Sequence, residues 1–364
     1  MILAHADLNL ESSTLSTHNH SLTLVIPGLQ GVTELPRAGH AEPQSRSLAR
    51  WLGRGTRLRD VPSGYERMLL ALAGYLLDPA EDAPVAALAR LGEGQSPRSG
   101  WWMRADPIHL RADRDRLILF PPAVLDLTAA EATSLADACN PLFAGDGWRL
   151  EALHPRRWYL HLDENPGLRT YDLDEAVGKA IADFLPRGPQ RRRWQTVLTE
   201  VQMVLHGAEA NLARQSRGRL IANGVWLWGS GPLPPAQPLP WRSVWADESF
   251  AVGLARHSQV PCERPAHCAA VIEAARSRPA LVVLHEVRDA WASGDTAHYM
   301  AAVKAACDDW ITPVYEAVRS GRVASALLAT DRGLAFSLDK AGLRRFWRRA
   351  RRLTDRYATL AVGD

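Results

Sequence analysis

The sequence lacks the features that mark membrane and secreted proteins. No run of the chain approaches the roughly 18 consecutive apolar residues that a membrane span requires. The first residues include His5, Asp7 and Glu11 before any apolar run, which is unlike a secretory signal peptide. These absences predict a soluble, cytoplasmic protein with no membrane partner.

Cysteine is scarce, with four residues, and none of them lies in a Cys-x-x-Cys pair. The segment from His257 through Cys262 to His267 and Cys268 contains ligand-type side chains, but its spacing matches no zinc pattern. The sequence therefore predicts buried, reduced thiols and no metal site.

The chain has almost no excess of charge of one sign, because it contains 43 basic and 40 acidic residues. A net charge of +3 argues against a surface devoted to nucleic acid or membrane. One local exception is the run 344–352, with six arginines in nine residues. As a helix it could follow phosphates, but the favoured interpretation is a solvated face with Phe346 and Trp347 packed on the core, so nucleic acid is not an expected partner.

What the chain does have is enough apolar material for two cores. It is 364 residues long and 46% hydrophobic, a length that favours two domains. The 13 tryptophans are interpreted as core anchors.

Buried strands alternate with helices at both ends of the chain, which predicts an α/β sheet. The expected strands are 21–26, 281–284 and 324–329, and the expected helices 65–77, 297–319 and 343–353. Between them a β-β-α-β-β order is expected, with strands 101–109 and 116–120, a helix after the capping box of Thr128 and Glu131, and a hairpin over 148–162. An α+β unit in the middle of an α/β pattern indicates an inserted domain.

Three stretches carry a family resemblance. They are Asn211-x-x-Arg214 with Gly218 and Ala222-Asn-Gly-Val-Trp-Leu-Trp-Gly-Ser-Gly231; Val61-Pro-Ser-Gly-Tyr-Glu-Arg67 through Asp78-Pro79; and Leu284-His-Glu-Val-Arg-Asp289 with Gly294-Asp295 and Asp331. Together they resemble the archaeal-type cofactor-independent phosphoglycerate mutases, most of all a bacterial offshoot, the RpfE-type regulatory proteins. Further runs at 102–114, 200–206 and 226–234 are similar to that offshoot, so the resemblance covers about residues 20–350.

The resemblance implies an alkaline-phosphatase-like α/β core with an inserted α+β domain. We divide the chain accordingly into a flexible N-terminus at 1–20, a discontinuous core at 21–80 and 223–358, and an inserted domain with linkers at 81–222.

The chemistry of the resembled family needs a serine nucleophile and two divalent metals held by Asp and His. Here Ile26-Pro27-Gly28 stands where the first Asp belongs, and Tyr65 stands at the serine position, two residues after Ser63. Arg332 takes the place of a His. The surviving candidates are therefore vestigial: Ser63, Glu66, Asp289 and Asp331. No metal site and no cofactor are expected, with Mn or Zn relevant only if the enzyme is active.

The resemblance also implies substrate-binding residues, namely Arg104, Arg114, Asn211 and Arg214. Guanidinium groups suit phosphate and carboxylate by bidentate hydrogen bonding. The alternative is that these arginines pair with Asp106, Asp113 or Asp115 and hold the structure together.

The leading hypothesis is a catalytically degenerate mutase homologue with a regulatory or ligand-sensing role, whose cleft binds a small phosphorylated or carboxylated ligand or a protein partner. The alternative is an active metal-dependent phosphoglycerate mutase or phosphatase with altered ligands.

Overall fold

The computed structural model describes residues 20–33 and 45–354. The predicted flexible N-terminus at 1–20 lies outside the described residues apart from His20. Within the described residues, no helix has the length and apolar content needed to cross a membrane.

The described residues form twelve strands in two sheets. They are β1 Leu22–Val25, β2 Thr56–Arg57, β3 Trp101–Asp113, β4 Arg116–Phe120, β5 Arg149–His154, β6 Arg157–Leu162, β7 Gly224–Pro232, β8 Ser243–Trp245, β9 Cys262–Glu263, β10 Ala280–Val283, β11 Ser325–Thr330 and β12 Leu334–Asp339.

Thirteen α-helices accompany these strands in the described part of the chain. They are α1 Arg46–Arg54, α2 Tyr65–Leu72, α3 Val85–Gly92, α4 Ala129–Phe143, α5 Leu173–Ala176, α6 Arg191–Gly207, α7 Glu209–Ser216, α8 Ser249–His257, α9 Cys268–Ala275, α10 Glu286–Ala292, α11 Thr296–Ala305, α12 Thr312–Ser320 and α13 Lys340–Leu343.

The first sheet has seven strands in the order β2-β12-β11-β1-β10-β8-β9. Five neighbouring strands run parallel to one another, in the order β11, β1, β10, β8 and β9. Strands β12 and β2 lie at the other edge of the sheet and pair antiparallel. Strands β1 and β10 read Leu-Thr-Leu-Val and Ala-Leu-Val-Val and are buried throughout. Such continuous apolar strands are typical of a parallel sheet that is covered on both faces, and they confirm the predicted α/β core.

The second sheet is antiparallel and has the long strand β3 at its centre, paired with β4, β6 and β7, while β5 extends β6. Helix α4 packs against it after the predicted capping box, in which Glu131 N–H donates to Thr128 Oγ1 at 3.2 Å and Thr128 N–H to Glu131 Oε2 at 2.8 Å. The expected α+β unit is thus present. Strand β7 runs from Gly224 to Pro232 and pairs with β3.

The stretch that follows our predicted division at residues 80 and 81 contains the buried helix α3. This helix packs against α8 through two glycines, since a Cβ at Gly92 would lie 1.8 Å from Ser249 O and one at Gly253 1.8 Å from Leu88 O. Only glycine permits so close an approach of two backbones. The pattern of apolar and polar residues along the sequence does not indicate this contact.

Three further expectations are corrected or refined. Helix α2 ends at Leu72, five residues before the predicted end, because Gly74 adopts a φ of 89°. The long helix expected over 297–319 is continuous but contains a π-helical turn at Ala306–Ile311 between α11 and α12. The predicted helix at 343–353 is wrong, since α13 ends at Leu343 and the arginine-rich run that follows is irregular.

Most predicted core anchors are confirmed. Nine of the 13 tryptophans are buried, three are half-buried, and Trp347 alone is exposed. Cysteines 139, 268 and 307 are buried and Cys262 is half-buried, and none of the four forms a disulfide.

Candidate functional site

The candidate site lies where the parallel strands of the first sheet end. Gly28 follows β1, His285 follows β10 and Asp331 follows β11, and these three strands are neighbours. In open α/β sheets, ligands bind outside the carboxyl ends of such strands. The backbone at Gly28 has a φ of 79°, and a Cβ there would lie 2.7 Å from Arg288 Cα, so glycine lets α10 pack directly on the turn after β1.

Arg288, on α10, is the centre of the site. Its Nη1 donates to Glu66 Oε1 on α2 at 2.9 Å, and its Nε donates to the carboxylate of Asp174 on α5. The side chain of Arg288 is 11% exposed and that of Glu66 is 6% exposed. Burial alone would lower the pKa of Arg288, but Asp174 and Glu66 raise that pKa well above its ordinary value. Arg288 is therefore a permanent buried cation that joins the core helix α2 to the segment carrying α5.

Tyr65, at the position where the resembled family has its serine, is buried at 2% exposure. Its hydroxyl donates to Glu248, a side chain that also caps α8. Burial, and then the charge of Glu248, raise the pKa of Tyr65 well above its ordinary value. The guanidinium of Arg288 lies 5.3 Å from the Tyr65 ring centroid. Tyr65 thus acts as a packing and hydrogen-bonding residue of the site.

Two carboxylate oxygens of the site accept no hydrogen bond from any described residue: Glu66 Oε2 and Asp331 Oδ1. Burial raises the pKa of Asp331, against the opposing effect of Arg288. A buried polar atom without a partner costs free energy, and such atoms in native structures call for an explanation. The other oxygen of Glu66 accepts from Arg288, and the charge of Arg288 also acts on Asp331.

The vestigial candidates are brought only partly together. Ser63 pairs with Arg332 in an isolated β-bridge, and Gly64 N–H donates to Asp331 O at 2.8 Å, so Ser63, Glu66 and Asp331 share the strand ends. Asp289 lies apart with a side chain 67% exposed, where its Oδ1 is 3.3 Å from His285 Nδ1.

A cavity of about 120 Å³ opens beside Glu66. It is lined by Ser63, Glu66, Arg67, Asp82, Ala83, Val85, Arg169, Thr170, Tyr171, Asp172 and Glu175. Burial, followed by the charges of Glu66 and Glu175, raises the pKa of Asp172 to about 8. The cavity lies between α2 and the segment 169–175, so it spans the same junction that Arg288 bridges.

The four predicted substrate-binding residues do not form one pocket. Arg104 is 6% exposed and donates from Nε and Nη2 to Asp106 at 2.7–3.0 Å. Arg214 is 1% exposed and donates to Glu131 Oε2 at 3.0 Å and to Leu220 O at 2.8 Å.

The other two predicted binding residues are equally remote from a common site. Asn211 is buried, and its amide group donates to Leu205 O and Ala222 O. Arg114 lies exposed at the tip of the β3–β4 hairpin with a φ of 55°. The alternative of structural pairing holds for Arg104, which binds Asp106, one of the three aspartates that the sequence named.

The donor set does not fit a metal centre of the kind that the resemblance implies. Within residues 20–33 and 45–354, no three His, Cys, Asp or Glu side chains are arranged to hold a metal ion. Glu66 and Asp174 are engaged by a guanidinium group, and the described residues directly after β1, 26–33, include no carboxylate.

Sequence reasoning missed Arg288, Asp174, Asp172 and Glu248. Arg288 stood inside the quoted run 284–289, and a basic residue between His285 and Asp289 was a usable signal. Asp172 and Asp174 fell in a segment treated as a linker, where three acidic residues in 172–175 were the available sign. Glu248 gave no signal beyond a position before a helix.

No known protein-family model matches the chain. Among curated proteins, it is 31% identical over 144 residues to 2,3-bisphosphoglycerate-independent phosphoglycerate mutase 2 of Methanothermobacter thermautotrophicus, covering 36% of this chain and 34% of that protein. It is 26% identical over 218 residues to a probable 2,3-bisphosphoglycerate-independent phosphoglycerate mutase of Geobacter sulfurreducens, covering 57% of this chain and 52% of that protein. The chain therefore spans about a third to a half of the length of these relatives.

Among solved structures, the PH0037 protein of Pyrococcus horikoshii aligns with a TM-score of 0.54 at 14% identity, over 92% of this chain and 91% of that one. This likeness concerns the fold alone. The predicted α/β class, an alkaline-phosphatase-like core with a separate α+β unit, is confirmed, and in sequence the chain is similar to cofactor-independent phosphoglycerate mutases.

Proposed function

We propose that this protein is a catalytically degenerate phosphoglycerate mutase-like protein of the RpfE regulatory type, which senses a small ligand in the cytoplasm. The observation that carries the proposal is the ion-paired guanidinium of Arg288 between Glu66 and Asp174. A permanent buried cation pairs with two carboxylates beside the strand ends, where a divalent metal would otherwise be expected.

The ion pairs of Arg288 disfavour the entry of a metal ion. A metal ion entering the site would have to displace a guanidinium that is 9% exposed overall and whose pKa the carboxylates raise. Breaking a buried ion pair by removing one partner typically costs about 3–5 kcal/mol. The site therefore favours a metal-free state, in which Tyr65 and Glu248 complete the packing.

The cavity beside Glu66 supports a ligand-sensing role. Arg67 and Arg169 line it beside four acidic residues, and the Arg67 guanidinium also donates to Asp78 O and Glu81 O. These two guanidinium groups are the positive contacts that a phosphorylated or carboxylated ligand would use there. A ligand bridging α2 and the segment 169–175 would tighten the junction between core and α+β unit. A rising ligand concentration would therefore stabilise the arrangement in which the core and the α+β unit are joined through the ligand.

An active mutase or phosphatase with altered ligands is the second candidate, because Ser63, Glu66 and Asp331 do share the strand ends. That candidate requires metal-dependent turnover in which Ser63 carries the phosphoryl group.

A coupled mutase assay on 2- and 3-phosphoglycerate with Mn²⁺, Co²⁺ or Zn²⁺, run beside thermal shift with each metal and each phosphoglycerate, separates the two. We expect no turnover, stabilisation by phosphoglycerate without metal, and loss of that stabilisation in Arg67→Ala/Arg169→Ala. Arg217→Ala, at an exposed arginine directly after α7, is the matched control.

Two other results would change the assignment. Metal-dependent turnover abolished by Ser63→Ala would establish the enzyme. A wild-type chain that responds to neither metal nor phosphoglycerate would remove the phosphoglycerate-sensing role and leave a protein partner as the ligand to seek.

A further inference from the structure

The arginine-rich run after α13 begins at the end of the first sheet that is opposite to the candidate site. Strand β12 runs antiparallel to β11, so its last residue, Asp339, pairs with Ser325 at the start of β11, whereas the candidate site begins after Thr330 at the other end. The run therefore begins at the opposite end of β11 from the candidate site.

The run joins a second basic segment to form one surface. Arg345 Nη1 donates to Thr56 Oγ1 at 2.9 Å and to Arg54 O at 3.3 Å, and Arg351 N–H donates to Ala49 O at 2.9 Å. These bonds place residues 344–352 along α1 and β2. We call residues 45–60 and 340–354 together the basic surface.

The basic surface concentrates positive charge that the rest of the chain lacks. It has twelve basic residues and one acidic residue, Asp60, although the chain as a whole has 43 and 40. The remainder therefore carries an acidic excess. Arginines 344, 345, 348, 349 and 351 form no ion pair with any described residue, so their charge is available to a polyanion.

Two aromatic rings stand in the middle of this charge. Phe346 is 78% exposed and Trp347 is 68% exposed, with ring centroids 5.3 Å apart at an interplanar angle of 81°. The sequence expectation that both would pack on the core is wrong. Burying an aromatic ring is favourable, and leaving two neighbouring rings in water is an unusual cost for a surface with no partner.

We infer that the basic surface binds single-stranded nucleic acid, with guanidinium groups on the phosphates and bases stacked on Phe346 and Trp347. Proteins that bind single strands combine a positive track with exposed aromatic rings, because every base offers a face for stacking. An anionic membrane fits less well. Interfacial binding grows with the apolar area inserted and usually uses an amphipathic helix, whereas this run is irregular and exposes few apolar residues beyond the two rings.

Fluorescence anisotropy tests the inference on the full chain, with a labelled oligothymidylate of about 20 nucleotides, longer than a typical site of roughly 4–16. We expect binding that weakens steeply between about 50 and 200 mM salt. Phe346→Ala/Trp347→Ala should weaken it at least about fivefold, the effect of losing one stacked base. Arg348→Glu/Arg349→Glu should weaken it further and flatten the salt slope by about 1.4, for two lost phosphate contacts.

Matched controls keep the test specific. Leu76→Ala/Met203→Ala removes two apolar side chains that are 74% and 70% exposed, and Arg191→Glu/Arg192→Glu reverses two exposed charges at the start of α6. Both should bind as the native chain does. No binding at low salt, binding unchanged in the two test variants, or binding to phosphatidylserine vesicles without binding to the oligonucleotide would each overturn the inference.

Discussion

Two buried arginine–carboxylate clusters in this molecule differ in how completely their atoms are paired. In the α+β unit, Asp106 accepts hydrogen bonds from Arg104, from Trp158 N at 3.1 Å and from Trp228 Nε1 at 2.8 Å. Both of its oxygens are used. At the strand ends of the core, Glu66 Oε2 and Asp331 Oδ1 have no partner among the described residues.

The fully paired cluster of Asp106 has a structural role, whereas the incompletely paired cluster of Arg288 belongs to the candidate site. A saturated network such as that of Asp106 fixes three strands of the second sheet, because Arg104, Trp158 and Trp228 lie on β3, β6 and β7. The unsaturated cluster around Arg288 keeps polar capacity beside a cavity, a state that costs stability and is found where a site has a ligand or partner to bind.

The largest expected effect comes from breaking the saturated cluster. Asp106→Asn leaves Arg104 as a buried charge without its carboxylate, and such losses cost about 3–5 kcal/mol. Chemical denaturation should show this fall in the free energy of unfolding. Asp113→Asn, exposed on the same strand, should leave stability within about 0.5 kcal/mol. Equal stabilities for the two variants would contradict a structural role for Asp106.

Glu66→Gln should cost less, about 1–3 kcal/mol, because Arg288 keeps Asp174 and the unpartnered Oε2 loses no bond. Denaturation measures the change, with the exposed Glu164→Gln as control. A loss as large as that of Asp106→Asn would mean that the two clusters are equally structural and that the comparison fails.

The sequence anticipated the elements whose signals are local. The strands β1, β10 and β11, the capping box of Thr128 and Glu131, and the hairpin of β5 and β6 follow from apolar runs, cap residues and turns. Helix α3 escaped because its identity rests on the contact of Gly92 with α8, which is a tertiary event.

The site was anticipated only in part, for the same reason. Motif matching named Ser63, Glu66 and Asp331 as vestigial candidates, and the structure has them near the ends of the parallel strands. It also placed Arg104 and Arg214 among ligand-binding residues, whereas their partners, Asp106 and Glu131, are set by strand pairing and helix packing. The role of a buried arginine depends on which carboxylate lies opposite, and a single sequence does not specify that.

Asp172→Asn tests the candidate site through the pH dependence of stability. A carboxyl group whose folded pKa is raised holds its proton more tightly in the folded state, so stability falls as pH rises from about 4 to about 8. The variant has no proton to lose and should melt higher than the native chain above pH 8, by roughly 1 °C for each kcal/mol in a chain of this length. Its advantage should shrink as pH falls toward 4. Melting temperatures that differ equally at all pH values would show that Asp172 is not held protonated.

The smallest effect is expected from the pair of His285 and Asp289. Burial lowers the pKa of His285, but the hydrogen bond to Asp289 together with the charges of Asp289 and Glu248 raises that pKa above 6.5. Burial likewise raises the pKa of Asp289, but the hydrogen bond and charge of His285 together with the charge of Arg288 lower that pKa below 3.8. The histidine contribution is present below pH 6.5 and is lost as pH rises through the folded value. The aspartate contribution is present above pH 3.8 and is lost as pH falls. Asp289→Asn should therefore destabilise most between about pH 4 and 6.5, by less than about 1 kcal/mol because Asp289 is 67% exposed. A pH-independent loss would assign Asp289 a packing role instead.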